Sequence, residues 1–245
     1  MTMRTGHSNI LICQDDKAAS REAAERFVCT AIRAVAERGT FLVAVSGGSS
    51  SKGLYELLSS RGYSELVPWT HTELFFADER CVPPESEESN YRMVHRLLLS
   101  TVPIPESNVH RFHGEDPPEL AANAYEQEIH SVMGDSPCFD LIVLGMGADT
   151  HTASLFPFSP ALKESGRHAV ASYVETLGAY RLTLTVPLIN HAESVIVLAL
   201  GEAKATALAT AVNGPIDTDA HPIQSIHPTH GRLLWIVDQA AASRL

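Results

Sequence analysis

The sequence has little positive charge. Its 18 lysine and arginine residues stand against 29 aspartate and glutamate residues, which gives a formal net charge of −11 at pH 7. A nucleic acid or an anionic membrane as the main partner requires a basic surface, so both are disfavoured. A local cluster of cations can still hold a small anion. The charge balance therefore constrains large partners and leaves open a small anionic ligand.

Cysteine is scarce, and long apolar runs are missing. The four cysteines are far apart and form no Cys-x-x-Cys pair, which predicts reduced thiols: Cys13, Cys29, Cys81 and Cys138. No stretch approaches the roughly 20 apolar residues of a membrane span, and the apolar run near the N-terminus is too short for a secretory signal. We therefore expect a cytoplasmic protein. The ending Ser243-Arg244-Leu245 is similar to a Ser-Lys-Leu peroxisomal address, so the peroxisome is the alternative.

Short apolar runs alternate with segments of helical spacing along the 245 residues. Strands are predicted over residues 41–45, 73–77, 139–144, 169–174, 181–186, 195–200 and 233–237. Helices are predicted around 54–58, over 91–98 with Ser89-Asn90 as cap, over 119–132 and over 202–211. This alternation predicts an α/β fold, with a doubly wound, mostly parallel open sheet and helices on both faces. We expect a single domain over residues 1–245.

Three polar or glycine-rich segments directly follow predicted strands. They are Ser46-Gly47-Gly48-Ser49-Ser50, Asp78-Glu79-Arg80 and Gly145-Met-Gly-Ala-Asp149-Thr150-His151. In open α/β sheets, ligands bind beyond the carboxyl ends of the strands. The three segments therefore predict one shared active site.

The first segment is typical of an anion site. Paired glycines let the backbone approach a ligand, and exposed N–H groups at a helix start attract negative charge. Ser46, Gly47, Gly48 and Ser49 are thus candidate substrate-binding residues, although a tight strand-to-helix turn also explains the glycines. Lys52 does not make a nucleotide P-loop, because the second glycine of that motif is missing.

Charged residues of the second segment, and two cations further along, are also candidates. Asp78, Glu79 and Arg80 follow an apolar strand, and Arg80 can pair with an anion or offset charge that develops during reaction. The alternative is a structural ion pair. Arg181 and Lys204 can supply cations for a phosphate, and the alternative for Lys204 is a solvated surface position.

The third segment carries the sharpest candidate, His151. Histidine titrates near neutrality and can take a proton from water, and Asp149 can orient the imidazole and stabilise its charged form. The alternative is a pair that only braces the loop. The other histidines considered form no zinc pattern and are interpreted as surface residues: His110, His113, His221, His227 and His230. No metal is expected.

Together these segments resemble the 6-phosphogluconolactonase family, from about residue 18 to about residue 240. Six further motifs carry the resemblance: Cys81-Val-Pro, Ser89-Asn-Tyr91, Thr152-Ala-Ser-Leu-Phe-Pro157, Arg181-Leu-Thr-Leu-Thr-Val-Pro, Gly201-Glu-Ala-Lys204 and Leu233-Leu-Trp-Ile-Val-Asp238. Each motif is short, but their order and spacing are specific.

The resemblance implies a single doubly wound α/β domain shared with glucosamine-6-phosphate deaminases and ribose-5-phosphate isomerases. It also implies hydrolysis of 6-phospho-D-glucono-1,5-lactone in the oxidative pentose phosphate pathway, with no metal or organic cofactor. His151 matches the general base of the family, and Arg80 and Asp149 match its supporting residues. The residues that match family positions near the bound sugar phosphate are Gly47, Gly48, Arg181 and Lys204.

Two departures from the family pattern stand out. Thr150 replaces a usual glycine and Ser51 a usual proline. If residue 150 has a positive φ, a β-branched threonine there costs energy or shifts the loop that carries His151.

Two rival functions are weighed against lactone hydrolysis. A glucosamine-6-phosphate deaminase is disfavoured because residues 152–157 contain no acid to move protons on a sugar. A non-catalytic sugar-phosphate sensor is disfavoured because we find no spare segment for a DNA-binding module and the chain is acidic.

Overall fold

The computed structural model describes residues 2–5 and 8–245. Its strands are β1 (Thr2–Thr5), β2 (Ser8–Cys13), β3 (Phe41–Val45), β4 (Thr72–Phe76), β5 (Asp78–Arg80), β6 (Val109–His110), β7 (Leu141–Gly145), β8 (Ala169–Val174), β9 (Ala179–Leu184), β10 (Ser194–Ala199) and β11 (Arg232–Asp238). Its helices are α1 (Asp16–Arg38), α2 (Lys52–Ser59), α3 (Arg61–Ser64), α4 (Asn90–Val94), α5 (Pro118–Met133), α6 (Val186–Asn190) and α7 (Ala205–Asn213). In the described part of the chain, no helix has the length and apolar character needed to cross a membrane.

The main sheet has eight strands in the order β1-β2-β11-β10-β7-β3-β4-β6. Only β1 is antiparallel to its neighbour, and the other pairs are parallel. The central strand β7 is buried over its first four residues, as expected for a parallel strand covered on both faces. This architecture confirms the predicted mostly parallel α/β fold class.

The order of the central strands explains where the site forms. Strand β3 lies between β7 and β4 and is parallel to both, so all three strands end at one edge of the sheet. In register, Val45 at the end of β3 stands opposite Phe76 at the end of β4. The loops that follow these three strands therefore begin next to one another.

Two of the predicted strands do not join the main sheet. Strands β8 and β9 form an antiparallel hairpin, and β9 also pairs with β5 in a separate three-stranded sheet. The connection between β8 and β9 is short and includes Gly178 at φ 59°, so it has room only for an antiparallel return. The segment Asp78-Glu79-Arg80 is consequently a short strand and not a free loop.

Helix α1 is the largest element that the sequence analysis does not predict. Asp15 caps its start by accepting a hydrogen bond from the Ala18 N–H at 2.8 Å, and Gly39 ends it at φ 79°. The buried face consists largely of alanines, together with Phe27 and Val28. Small side chains let the helix lie close to the sheet, but they give only a weak apolar stripe in the sequence.

Candidate active site

The loops after β3, β4 and β7 enclose a cavity of about 170 Å³ at the edge of the sheet. Its lining includes most of the residues predicted for the site: Ser46, Gly47, Gly48, Ser49, Asp78, Arg80, His151 and Lys204. The structure therefore brings the three segments together. Three predicted residues do not line the cavity: Glu79, Asp149 and Arg181.

His151 is held by Asp149 and Phe156. Its Nδ1 lies 2.5 Å from Oδ1 of Asp149, and its ring stacks on Phe156 with 4.2 Å between the centroids. Within the part of the chain that is described, Nε2 forms no hydrogen bond, and the side chain is 31% exposed. Since the carboxylate occupies Nδ1, Nε2 is the nitrogen left to exchange a proton with a ligand.

The electrostatics of this pair favour an ionised Asp149. Partial burial raises the pKa of its carboxyl group, but the hydrogen bond and the charge of His151 outweigh this effect and lower the pKa. A carboxylate in that state orients the imidazole and stabilises its protonated form.

Gly147 makes room for the imidazole. A Cβ at this position would overlap Nδ1 of His151 and Oδ1 of Asp149. The backbone of Gly147 also donates a hydrogen bond to the carbonyl of His151, at 2.8 Å. The glycine therefore permits the close packing that sets the imidazole ring against its carboxylate.

Thr150 has a positive φ, which is the condition under which a threonine at this position is expected to cost energy. Its φ is 68°, in the left-handed region that costs a non-glycine residue about 1–2 kcal/mol. The residue is buried, and its hydroxyl donates to the carbonyl of Asp149 at 2.5 Å. Its own carbonyl accepts the N–H of Ile223 at 3.1 Å. The loop thus holds Thr150 in a backbone conformation that favours glycine, and His151 still contacts the carboxylate of Asp149.

The Ser46–Ser50 segment depends on both of its glycines. Gly48 has φ 97° and ψ 165°, a region that only glycine populates readily. A Cβ on Gly47 would overlap the side chain of Asn90, which also lines the cavity. Asn90 donates through Nδ2 to the carbonyl of Asp78 at 2.9 Å. Sequence reasoning did not single out Asn90 as a site residue, although it lies in a motif that carries the resemblance.

The two acids of the second segment point in different directions. Asp78 is buried beside the cavity and accepts a hydrogen bond from Oγ of Ser154 at 2.7 Å. Glu79 is buried away from the cavity and accepts four hydrogen bonds, from the N–H groups of Arg80, Asn90 and Tyr91 and the hydroxyl of Ser89. Burial raises the pKa of Glu79 although the N–H groups oppose it. Its carboxyl group joins β5 to the start of α4.

Arg80 and Arg181 lie opposite each other in the register of β5 and β9. The Arg80 guanidinium donates to the carbonyl of Glu88, and Arg181 donates to that of Tyr180. Burial and the positive charge of Arg80 lower the pKa of Arg181. Within residues 2–5 and 8–245, neither arginine nor Lys204 forms a salt bridge. Cations without carboxylate partners in an acidic protein provide binding capacity for an anion.

Two neighbouring cavities share residues with this one. A cavity of about 270 Å³ shares Arg80 and Asn90 and extends to Arg92 and Arg96 on the α4 side. A further cavity, of about 800 Å³, lies between α1 and α2 and does not include His151. Of these three cavities, only the one of about 170 Å³ is lined by His151.

Fold and site together define a class of sugar-phosphate enzymes. Residues 14–235 match the family described as glucosamine-6-phosphate isomerases/6-phosphogluconolactonase, and the chain belongs to that family. A 6-phosphogluconolactonase of Synechocystis is 40% identical over 226 residues, which cover 89% of this chain and 91% of the relative.

Solved structures agree with this assignment. A 6-phosphogluconolactonase from Trypanosoma cruzi superposes with a TM-score of 0.85 at 29% identity, covering 100% of this chain and 98% of the other. A monomeric glucosamine-6-phosphate deaminase has the same fold, with a TM-score of 0.81 at 20% identity over 96% of this chain and 99% of the other. The fold alone therefore does not separate the two activities.

Proposed function

We propose that this protein is a cytoplasmic enzyme that hydrolyses 6-phospho-D-glucono-1,5-lactone to 6-phosphogluconate in the oxidative pentose phosphate pathway. The observation that carries the proposal is the His151–Asp149 pair, 2.5 Å apart, in which His151 lines the cavity and its Nε2 forms no hydrogen bond to any described residue. The named relatives support the same activity.

The reaction begins with water. Nε2 of His151 takes a proton from a water molecule whose oxygen attacks the lactone carbonyl carbon, and Asp149 stabilises the imidazolium that forms. A lactone carbonyl is already electrophilic, so no nucleophilic side chain is required. General-base assistance is worth about 10² to 10⁴ in rate, which is a useful factor for a bond that also hydrolyses unaided.

The carbonyl oxygen becomes an oxyanion as the water adds. Arg80, Gly47 and Gly48 line the same cavity, and we assign the stabilisation of that charge to the Arg80 guanidinium and the backbone N–H groups of the two glycines. The intermediate collapses by breaking the bond to the ring oxygen, which receives the proton from His151 and leaves as the sugar hydroxyl. The new carboxylic acid then ionises to 6-phosphogluconate.

The phosphate binds at the other end of the substrate. Lys204 lines the cavity and forms no salt bridge among the described residues. Arg181 does not line the cavity, but it stands opposite Arg80 in the strand register and adds positive charge there. We assign the phosphate to these cations, because charge-assisted hydrogen bonds to a phosphate are strong.

A coupled assay on freshly generated lactone tests the proposal, with spontaneous hydrolysis subtracted. The expected result is rapid formation of 6-phosphogluconate and no ammonia from glucosamine 6-phosphate. Ammonia release would instead support the deaminase. Binding of 6-phosphogluconate without lactone turnover would support a sugar-phosphate sensor and contradict the proposal.

A further inference from the structure

Three potential metal ligands meet outside the active site. Glu126 and His130 lie one turn apart on α5, and His168 directly precedes β8. One donor atom from each of the three lies within 4.8 Å of the other two. The facing nitrogens, Nε2 of His130 and Nδ1 of His168, are 3.1 Å apart. None of these residues lines the cavity that contains His151.

The hydrogen bonds of His130 fix its tautomer. Its Nδ1 lies 3.0 Å from the carbonyl oxygen of Gly134, and a carbonyl can only accept. Nδ1 therefore carries the hydrogen, and Nε2 presents a lone pair toward His168. A histidine that binds a metal commonly donates its other nitrogen to a carbonyl in this way.

His168 is suited to bind as a neutral imidazole. A neutral ring can carry its hydrogen on Nε2 and leave a lone pair on Nδ1, the atom that faces His130. Two imidazole lone pairs then converge on one point.

Glu126 completes the set, and its carboxylate is held in place. Oε1 accepts the backbone N–H of His168 at 2.6 Å, and Oε2 accepts Nε of Arg167 at 2.9 Å. A carboxylate has about four lone-pair positions, so these two contacts leave capacity for a metal. Arg167 opposes a cation, but Glu119 at 3.9 Å and Oδ1 of Asn123 at 2.6 Å also share its charge.

We propose that Glu126, His130 and His168 bind one Zn²⁺ ion, or another divalent transition metal of similar preference, and so fasten α5 to the start of β8. Zinc sites combine imidazole nitrogens, each about 2.0–2.1 Å from the metal, with carboxylate oxygens. At a tetrahedral angle, two such nitrogens lie about 3.3 Å from each other. The observed 3.1 Å is close to that value. Magnesium and calcium prefer an all-oxygen set and do not fit. A water molecule fills the fourth position.

Zinc titration of the full chain by calorimetry tests the site. The protein is prepared without a polyhistidine tag and freed of metal with a chelator. We expect one Zn²⁺ per chain, and at least tenfold weaker binding in His130→Gln and His168→Gln, equivalent to about 1.4 kcal/mol. His230→Gln, which changes an exposed histidine outside the cluster, is the matched control and keeps the parent affinity.

Thermal unfolding gives a second measurement. Zinc raises the Tm of the parent, because the ion binds the folded chain, and it leaves the Tm of His168→Gln unchanged. The variants keep the parent lactonase rate, which shows that they fold. Absence of saturable zinc binding in the parent, or equal zinc affinity in His168→Gln and the parent, would overturn the proposal.

Discussion

The hydroxyl oxygen of Thr150 lies 3.2 Å from Nδ1 of His221. This contact joins the loop that carries His151 to the loop between α7 and β11. The N–H of Ile223 donates to the carbonyl of Thr150 in the same place. The second loop thus supports threonine in the left-handed conformation, and it fixes the backbone directly before His151.

Replacing Thr150 by glycine tests whether strain in this loop limits the enzyme. The substitution removes about 1–2 kcal/mol of left-handed cost. It also loses the contacts of the hydroxyl with the Asp149 carbonyl and with His221, each worth about 1 kcal/mol. His151 already contacts Asp149 with threonine present, so we expect Thr150→Gly to keep kcat within about twofold of the parent. Steady-state lactonase assays measure this. A large gain in kcat would show instead that Thr150 holds His151 in a poor orientation.

His221 is expected to matter only when residue 150 is threonine. His221→Ala should lower the free energy of unfolding by about 0.5–1.5 kcal/mol in the parent, because the Thr150 hydroxyl loses a partner. The same substitution in the Thr150→Gly background should have little effect. Urea unfolding of all four proteins gives the coupling energy. Equal losses in both backgrounds would mean that His221 acts through other contacts.

Gly147 is the position where one methyl group should disturb the chemistry most. The added Cβ in Gly147→Ala overlaps His151 and Asp149 and displaces the imidazole. We expect kcat to fall about 10²-fold, as for other small misplacements of catalytic groups. Gly166→Ala is the control, because its Cβ meets only Glu164 at an ordinary 3.6 Å. Full activity of Gly147→Ala would contradict the observed packing.

His110 predicts a pH dependence of stability. It is buried, stacks on Phe75, and contacts Glu128 at 2.7 Å and Glu73 at 2.8 Å, so the interpretation as a surface histidine is corrected. Burial lowers its pKa, but the hydrogen bonds to both carboxylates outweigh burial and raise it above 6.5. The protonated form therefore stabilises the fold. This contribution is complete below 6.5 and is lost as pH rises through the pKa of the folded state.

Urea unfolding of the parent and His110→Gln at several pH values measures that contribution. The difference in unfolding free energy should be largest below pH 6.5 and should shrink as pH rises. His71→Gln, at an exposed histidine, should show no such trend. A difference that grows with pH would mean that His110 is neutral in the folded protein.

The site could be predicted in outline because it depends on local features. A buried apolar run followed by glycines or charges marks a strand end, and parallel strands bring such ends together. Contacts between distant segments left no local signal, so the packing of Asn90 on Gly47 and the burial of Glu79 were missed. The alternation of apolar runs and helical segments also did not indicate that β8 and β9 belong to a separate sheet, because strands of either sheet give the same sequence pattern.

The kcat of His151→Asn shows directly whether His151 is the general base. Asparagine keeps the polarity of the side chain but cannot take a proton from water at neutral pH. We expect kcat to fall by at least about 10², with a similar KM and Tm, while the exposed-site control His71→Asn keeps the parent rate. A folded His151→Asn protein with a kcat close to that of the parent would mean that another group activates the water.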